Sequence, residues 1–219
     1  MYRIIFFDLD GTLTDSREGI FSSVSYAIAQ IGSPALPEET LLRFIGPPLQ
    51  DSFMRYCGYD ADTALRAVRL FREVYLPTGQ FQNRAAPGMA ELCARLKAQG
   101  RTLAVASSKP EELCRAICNR FSFSASMDVI SGSPPSAVDC SKADVIRTTM
   151  RRMGLTERDL PRILMVGDRK FDVLGATEVG IDCVGVEFFG YAEEGELEQS
   201  GAVAVVKTPE ELEAFLLSH

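Results

Sequence analysis

Six short apolar runs recur along this 219-residue chain without in/out alternation: Ile4–Phe7, Leu103–Ala106, Met127–Ile130, Ile163–Val166, Val184–Val186 and Ala202–Val206. A strand with one wet face alternates polar and apolar residues, so strands that fail to alternate are covered on both faces. Helical patterns separate the runs. Gly88–Gln99 is followed by Gly100, a helix-ending glycine, and Pro110–Phe121 opens on a proline suited to a first helical turn. Lys142–Met153 and Lys170–Val179 stop at Gly154 and Gly180, and Pro209–Leu217 supplies a last helix. Parallel strands need long crossovers, and right-handed helical ones cover both faces of a sheet. The expected fold is α/β, a doubly wound, Rossmann-like parallel sheet.

The stretch 16–83 breaks this rhythm. Gly88–Gln99 already suffices as the crossover between the first two strands, and residues 16–83 read as helical almost throughout. Ile20, Val24, Ala27, Ile28 and Ile31 form one apolar stripe ending near Gly32, with Asp15 and Glu18 at capping-box spacing. Pro37-Glu38-Glu39 starts a second helix that stops at Gly46-Pro47-Pro48. Leu49–Cys57 ends at Gly58, and Asp62–Leu76 presents Leu65, Val68, Phe71 or Arg72, and Tyr75 before Pro77. The expected organisation is a core of residues 1–15 and 84–219, with an all-helical domain, 16–83, inserted after the first strand.

Composition removes several function classes. Net charge is −7, and Lys and Arg are scattered, with no run able to follow a nucleic-acid backbone or an anionic membrane. No run approaches the ~20 apolar residues of a membrane span, and Asp8 interrupts the first apolar stretch far short of a signal-peptide core. Six cysteines form no CxxC pair, and His219 is the only histidine, which disfavours zinc. Reduced thiols in a cytoplasmic protein, monomeric or homodimeric, are the expectation.

Ligands of an open parallel sheet bind beyond the carboxyl ends of its strands. Asp8-Leu9-Asp10-Gly11-Thr12 follows the first run, and Ser107-Ser108-Lys109 follows the second. Ser141-Lys142 precedes a helix, and Gly167-Asp168-Arg169-Lys170-Phe171-Asp172 follows the fourth run. Two carboxylates two residues apart at the end of a buried strand repel unless a cation joins them. The candidate donors are all oxygens, so a hard ion such as Mg²⁺ fits. A phosphoryl group gripped by Ser107 and Lys142 would complete its coordination.

These four motifs, in this order, resemble those of the haloacid dehalogenase superfamily of phosphohydrolases. The helical insertion sits where one type of cap sits in that family. The resemblance implies that Asp8 is the nucleophile, forming an aspartyl-phosphate. It implies that Asp10 is the general acid and then the base. Mg²⁺ would be held by Asp8, the Asp10 carbonyl and Asp168, while Asp172 orients water or Lys142. Ser107, Ser108 and Lys142 would hold the phosphoryl oxygens. An acid at position 10 favours phosphate esters over dehalogenation or ion pumping. The segment Phe44–Leu49, with Gly167-Asp168-Arg169, is most similar to phosphoglycolate phosphatase-like and 5′-nucleotidase-like members. Arg43, Gly46 and Pro47 then fall on the cap's specificity loop. The expected activity is Mg²⁺-dependent hydrolysis of a small phosphorylated metabolite, phosphoglycolate or a nucleoside 5′-monophosphate. A sugar-phosphate mutase is one alternative. A non-catalytic phosphate-binding regulatory module is another, which the general acid Asp10 disfavours. Lys109, Arg169 and Lys170 read as solvated charges, with contact to the substrate the lesser alternative for each. Ala143 stands where the family often has proline, and Ser107-Ser108 where it often has Thr-Asn.

Overall fold

The computed structural model describes residues 1–134 and 140–219. The elements run β1 (Ile4–Phe7), β2 (Thr14–Asp15), α1 (Arg17–Ile31), α2 (Glu38–Leu42), α3 (Leu49–Cys57), α4 (Ala61–Tyr75) and β3 (Arg84–Ala85). They continue with α5 (Met89–Ala98), β4 (Thr102–Pro110), α6 (Glu111–Arg120), β5 (Val129–Ser133), α7 (Lys142–Arg152) and β6 (Ile163–Gly167). Then come α8 (Lys170–Val179), β7 (Asp182–Val186), α9 (Glu196–Gln199), β8 (Ala204–Val206) and α10 (Pro209–Ser218). Two compact units result: Met1–Thr14 with Ala85–His219, and Asp15–Arg84.

The first unit holds a 6-stranded sheet of order β5-β4-β1-β6-β7-β8, parallel throughout. Phe7 of β1 lies beside Val105 of β4 and Val166 of β6. From β1 the chain builds outward through β4 and β5, then returns to β6 on the other flank. The order therefore reverses at β1, whose carboxyl end is the switch point where open sheets bind ligands. Ile5 and Phe7 pack on one face against Met89, Leu92, Ile117 and Leu212. Ile4 and Phe6 pack on the other against Val145, Ile146, Val173 and Ala176. Both faces of β1 are thus dry, the physical origin of its unbroken apolar run.

Five of the six strands differ from the expected runs at one end or both: β6 extends to Gly167 and β7 begins at Asp182, and the other three follow. β5 begins at Val129 rather than Met127, because the Asp128 carboxylate accepts from Leu103 N (3.0 Å) in place of a ladder carbonyl. β8 begins at Ala204, since Ala202 N donates back to Leu197 O (3.1 Å). β4 continues past Ala106 through a register shift to Pro110, which lies opposite Ser133.

The second unit is helical. α1 buries Ile20, Val24, Ala27 and Ile28, and Gly32 ends it at φ +89°. Asp15 does not build the expected capping box. Its carboxylate accepts from Arg84 (3.0 Å) and from Arg17 N (3.1 Å), and Ser16 stands at the cap position. In α4 the buried stripe is Ala64, Ala67, Val68, Phe71 and Tyr75, whereas Leu65 is 42% exposed. The ring of Phe44 packs edge-on to that of Phe53 at 5.1 Å. Arg43 ends α2, and Gly46 takes φ +103° in the turn to α3 beside half-buried Pro47. No helix among the described residues is long and apolar enough to cross a membrane.

Candidate active site

Asp8 N donates to Val166 O (2.9 Å), carrying the β1–β6 pairing one residue past β1. The chain then turns sharply: Leu9 O accepts from Leu13 N and Thr14 N, each at 2.9 Å. Gly11 lies in this turn at φ +85°, a conformation that disfavours any side chain. A Cβ there would also lie 2.0 Å from Asp168 Oδ2. The glycine therefore permits both the turn and the close approach of the β6 carboxylate. Thr12 Oγ1 donates to Asp168 Oδ1 (3.2 Å), fixing that carboxylate from the first turn.

Lys142 enters from α7. Ser141 and Asp144 cap this helix reciprocally: Asp144 N donates to Ser141 Oγ, and Ser141 N to Asp144 Oδ2, each at 3.1 Å. A cation in a first helical turn opposes the helix dipole, so its position needs acids elsewhere. They are present: Lys142 Nζ lies 2.8 Å from Asp8 Oδ1 and 2.7 Å from Asp172 Oδ1. It also donates to Ala106 O (3.1 Å). Burial pushes the Lys142 ammonium down, but Asp172 and Asp8 outweigh it and hold its pKa above the ordinary lysine value. On α8, a Cβ at Gly175 would lie 2.8 Å from Lys142 Cβ and Cγ. The lysine stem thus occupies the space that the glycine vacates.

Asp8, Asp168 and Asp172 offer oxygens that all lie within 4.8 Å of one another. All three are buried, and Lys142 is the ammonium set among them. Burial and the neighbouring carboxylates both act on the acids of this cluster. Burial, then Asp172 and Asp8, push the Asp168 carboxyl well above the ordinary range. Burial also lifts Asp172 to about 6, against the opposing pull of Lys142. Asp168 Oδ2 is buried and has no hydrogen-bond partner. An all-oxygen, net-negative pocket with an unsatisfied carboxylate oxygen fits a hard divalent cation such as Mg²⁺.

Asp10 is held apart from this acidic cluster. Its Oδ2 meets Lys109 Nζ at 2.7 Å. Ser107 is buried, with its Oγ accepting from Lys109 N (3.4 Å), and half-buried Ser108 follows it in the bulge of β4. Arg169 is likewise not a solvated charge. Its guanidinium donates to Glu196 Oε1 (2.9 Å), and that oxygen also accepts from Lys170 N (2.9 Å). Arg43, Gly46 and Pro47 belong to the helical unit.

Three residues of this site escape a reading of the sequence. Glu196 is one of several nearby glutamates with no spacing to mark it. Lys109 looks like any polar residue after a strand. Gly175 left one signal, since a mid-helix glycine costs ~1 kcal/mol against alanine and so hints at a close approach.

A family model for haloacid dehalogenase-like hydrolases matches residues 5–186. The chain belongs to the haloacid dehalogenase-like hydrolase family. It is 41% identical over 196 residues to a 5′-nucleotidase of Pseudomonas aeruginosa, covering 90% of this chain and 87% of that one. It is 35% identical over 204 residues to the tyrosine-protein kinase PtkA of Mycobacterium tuberculosis, covering 93% and 68%. The crystal structure of a predicted phosphatase from Clostridium acetobutylicum superposes with TM-score 0.92 at 36% identity, covering 100% of each chain. In this hydrolase the acids and the lysine come from β1, β6, α7 and α8, segments that meet only in the folded sheet.

Proposed function

We propose that this hydrolase cleaves small phosphate monoesters, with a nucleoside 5′-monophosphate or phosphoglycolate as substrate. The observation that carries the reading is Lys142, whose ammonium lies 2.8 Å from Asp8 Oδ1 and 2.7 Å from Asp172 Oδ1. A cation so placed neutralises a phosphoryl oxygen beside a carboxylate aimed at phosphorus. The identity to a 5′-nucleotidase supports the choice of ester.

Asp8 attacks phosphorus in line, and the bond from phosphorus to the leaving oxygen breaks. Asp10 gives that oxygen its proton. The resulting Asp10 carboxylate then takes a proton from water as the water oxygen attacks the aspartyl-phosphate, which frees phosphate and restores Asp8. Ser107, Ser108 and Lys142 hold the phosphoryl oxygens, and Asp172 keeps Lys142 aligned. Asp8, the Asp10 carbonyl and Asp168 would hold Mg²⁺. When bound, the ion supplies neutralisation of charge on the transferring group. In the helical unit, Arg43, Gly46 and Pro47 select the leaving group.

The test is phosphate release across nucleoside 5′-monophosphates, phosphoglycolate, hexose phosphates and pyrophosphate, with Mg²⁺ and with chelator. Metal-dependent release from at least one ester is expected, and Asp8→Asn should reduce it ~10³-fold or more while preserving the fold. Release that survives chelation, or Asp8→Asn within tenfold of the parent, overturns the reading. The likeness to PtkA motivates a further arm with ATP and a tyrosine peptide. Peptide phosphorylation without ester hydrolysis would reassign the acceptor from water to tyrosine.

A further inference from the structure

Asp10 has two carboxylate oxygens in unlike states. Oδ2 is held by Lys109 Nζ at 2.7 Å, and the Lys109 side chain is 7% exposed. Oδ1 is buried and has no hydrogen-bond partner. A long flexible side chain normally loses substantial entropy when held in one geometry. Here its backbone is held from several directions. Pro110 lies opposite Ser133, just past the register shift in β4. A Cβ on Gly132 would lie 2.5 Å from Lys109 O and from Glu111 Cα, so β5 touches the backbone of this loop directly. Cys114 Sγ donates to Lys109 O (3.5 Å), and Gly132 N donates to Glu111 Oε2 (3.4 Å).

We propose that Lys109 is a positioning residue: it fixes the Asp10 carboxylate through Oδ2 and leaves Oδ1 as the atom that exchanges the proton. This assignment rests on the phosphatase reading above. In the first step the H–Oδ1 bond breaks as the leaving oxygen gains the proton and parts from phosphorus. In the second, Oδ1 takes a proton from the attacking water. Lys109 touches neither ester nor water and keeps its own charge throughout. Its work is geometric, and small misplacement of a reacting group is costly, about 10² in rate for ~1 Å.

Proton donation matters to a poor leaving group and little to a good one. Lys109→Met should therefore lower kcat/KM on a nucleoside 5′-monophosphate by ~10². The loss on 4-nitrophenyl phosphate should be at least tenfold smaller. Lys109→Arg should recover much of the difference, because it keeps a cation at Oδ2. Adding Lys109→Met to Asp10→Asn should change neither rate further. Equal losses on the two esters, no loss on either, or additive loss in the Asp10→Asn background would each overturn the assignment. A urea-unfolding cycle over the same variants reads the pair without turnover. Lys109→Met should lower the midpoint when Asp10 is present and less so in the Asp10→Asn background; equal shifts in both backgrounds overturn the coupling. If the unchanged enzyme hydrolyses no ester, the phosphatase reading fails and takes this one with it. If the enzyme is active and the two esters fall together, this one fails alone.

Discussion

Gly175 sits inside α8, where helix propensity disfavours glycine by ~1 kcal/mol against alanine. The space it leaves is filled by the stem of Lys142. Alanine there would gain propensity but overpack a buried contact, typically at a cost of ~1–3 kcal/mol. The strain falls on the lysine that grips Asp8 and Asp172. Gly175→Ala should therefore lower kcat/KM for phosphate esters by ~10-fold or more, with little change in the far-ultraviolet dichroism spectrum. A parent-like rate would show that α7 yields without moving Lys142. Gly11 and Gly175 contrast in how they can be read. Gly11 follows two acids at the end of an apolar run, so its turn is visible in sequence. The partner of Gly175 lies 33 residues away on another helix, and no local pattern records a contact at that separation.

At the scale of elements, α9 has only four residues yet anchors the segment carrying the β6 acids. Glu196 heads it and meets Arg169 at 2.9 Å, with side chains 6% and 9% exposed. The same carboxylate accepts from Lys170 N, where an acid suits the α8 dipole. Removing one partner of a buried ion pair costs ~3–5 kcal/mol. Glu196→Ala should lower stability by about that much in urea unfolding and raise the Mg²⁺ concentration needed for activity. An unaltered metal titration would confine α9 to stability.

Glu111 provides a pH-dependent case. It is paired with Arg115 (2.9 Å) and with Arg152, joining the start of α6 to the end of α7. Burial raises its carboxyl, but Arg152 and Arg115 together bring it below the ordinary 4.5. A carboxyl depressed in the folded state stabilises above its unfolded pKa and loses that contribution as pH falls through the folded value. Glu111→Gln should thus narrow the stability difference between pH 7 and pH 3, measured by thermal unfolding at each pH. The long elements were legible because apolar runs and helical stripes mark them. α9 and the two-residue β2 and β3 were not, being too short to show a period. The Asp15 capping box failed because Arg84, 69 residues on, competes for the same carboxylate.

At the scale of the whole molecule, charge links the site to the sheet. Asp8 follows β1, Asp168 follows β6, Asp172 lies on α8 and Lys142 heads α7. Folding brings three carboxylates around one ammonium, and the excess negative charge opposes assembly of the strands that carry it. The Asp168 carboxyl, pushed well above its ordinary range by burial, Asp172 and Asp8, registers that opposition. A divalent cation that binds only the assembled site reverses the sign, stabilising by ~2.7 kcal/mol at 100 times its Kd. For a chain of this size, ~1 kcal/mol moves Tm by ~2–4 °C, so saturating Mg²⁺ should raise it by ~5–10 °C. Asp168→Asn separates the two effects. It removes one repelling charge while leaving an Oδ1 to accept from Thr12, so the metal-free variant should melt ~2–4 °C above the parent if the relief is worth ~1 kcal/mol. It also removes a carboxylate oxygen proposed to hold the metal, so added Mg²⁺ should no longer raise its Tm. Calorimetry of both proteins, with chelator and with Mg²⁺, gives the four values. A metal-free Asp168→Asn that melts below the parent would locate the opposition elsewhere in the sheet. A full Mg²⁺ response in the variant would mean that Asp8 and Asp172 hold the ion without Asp168.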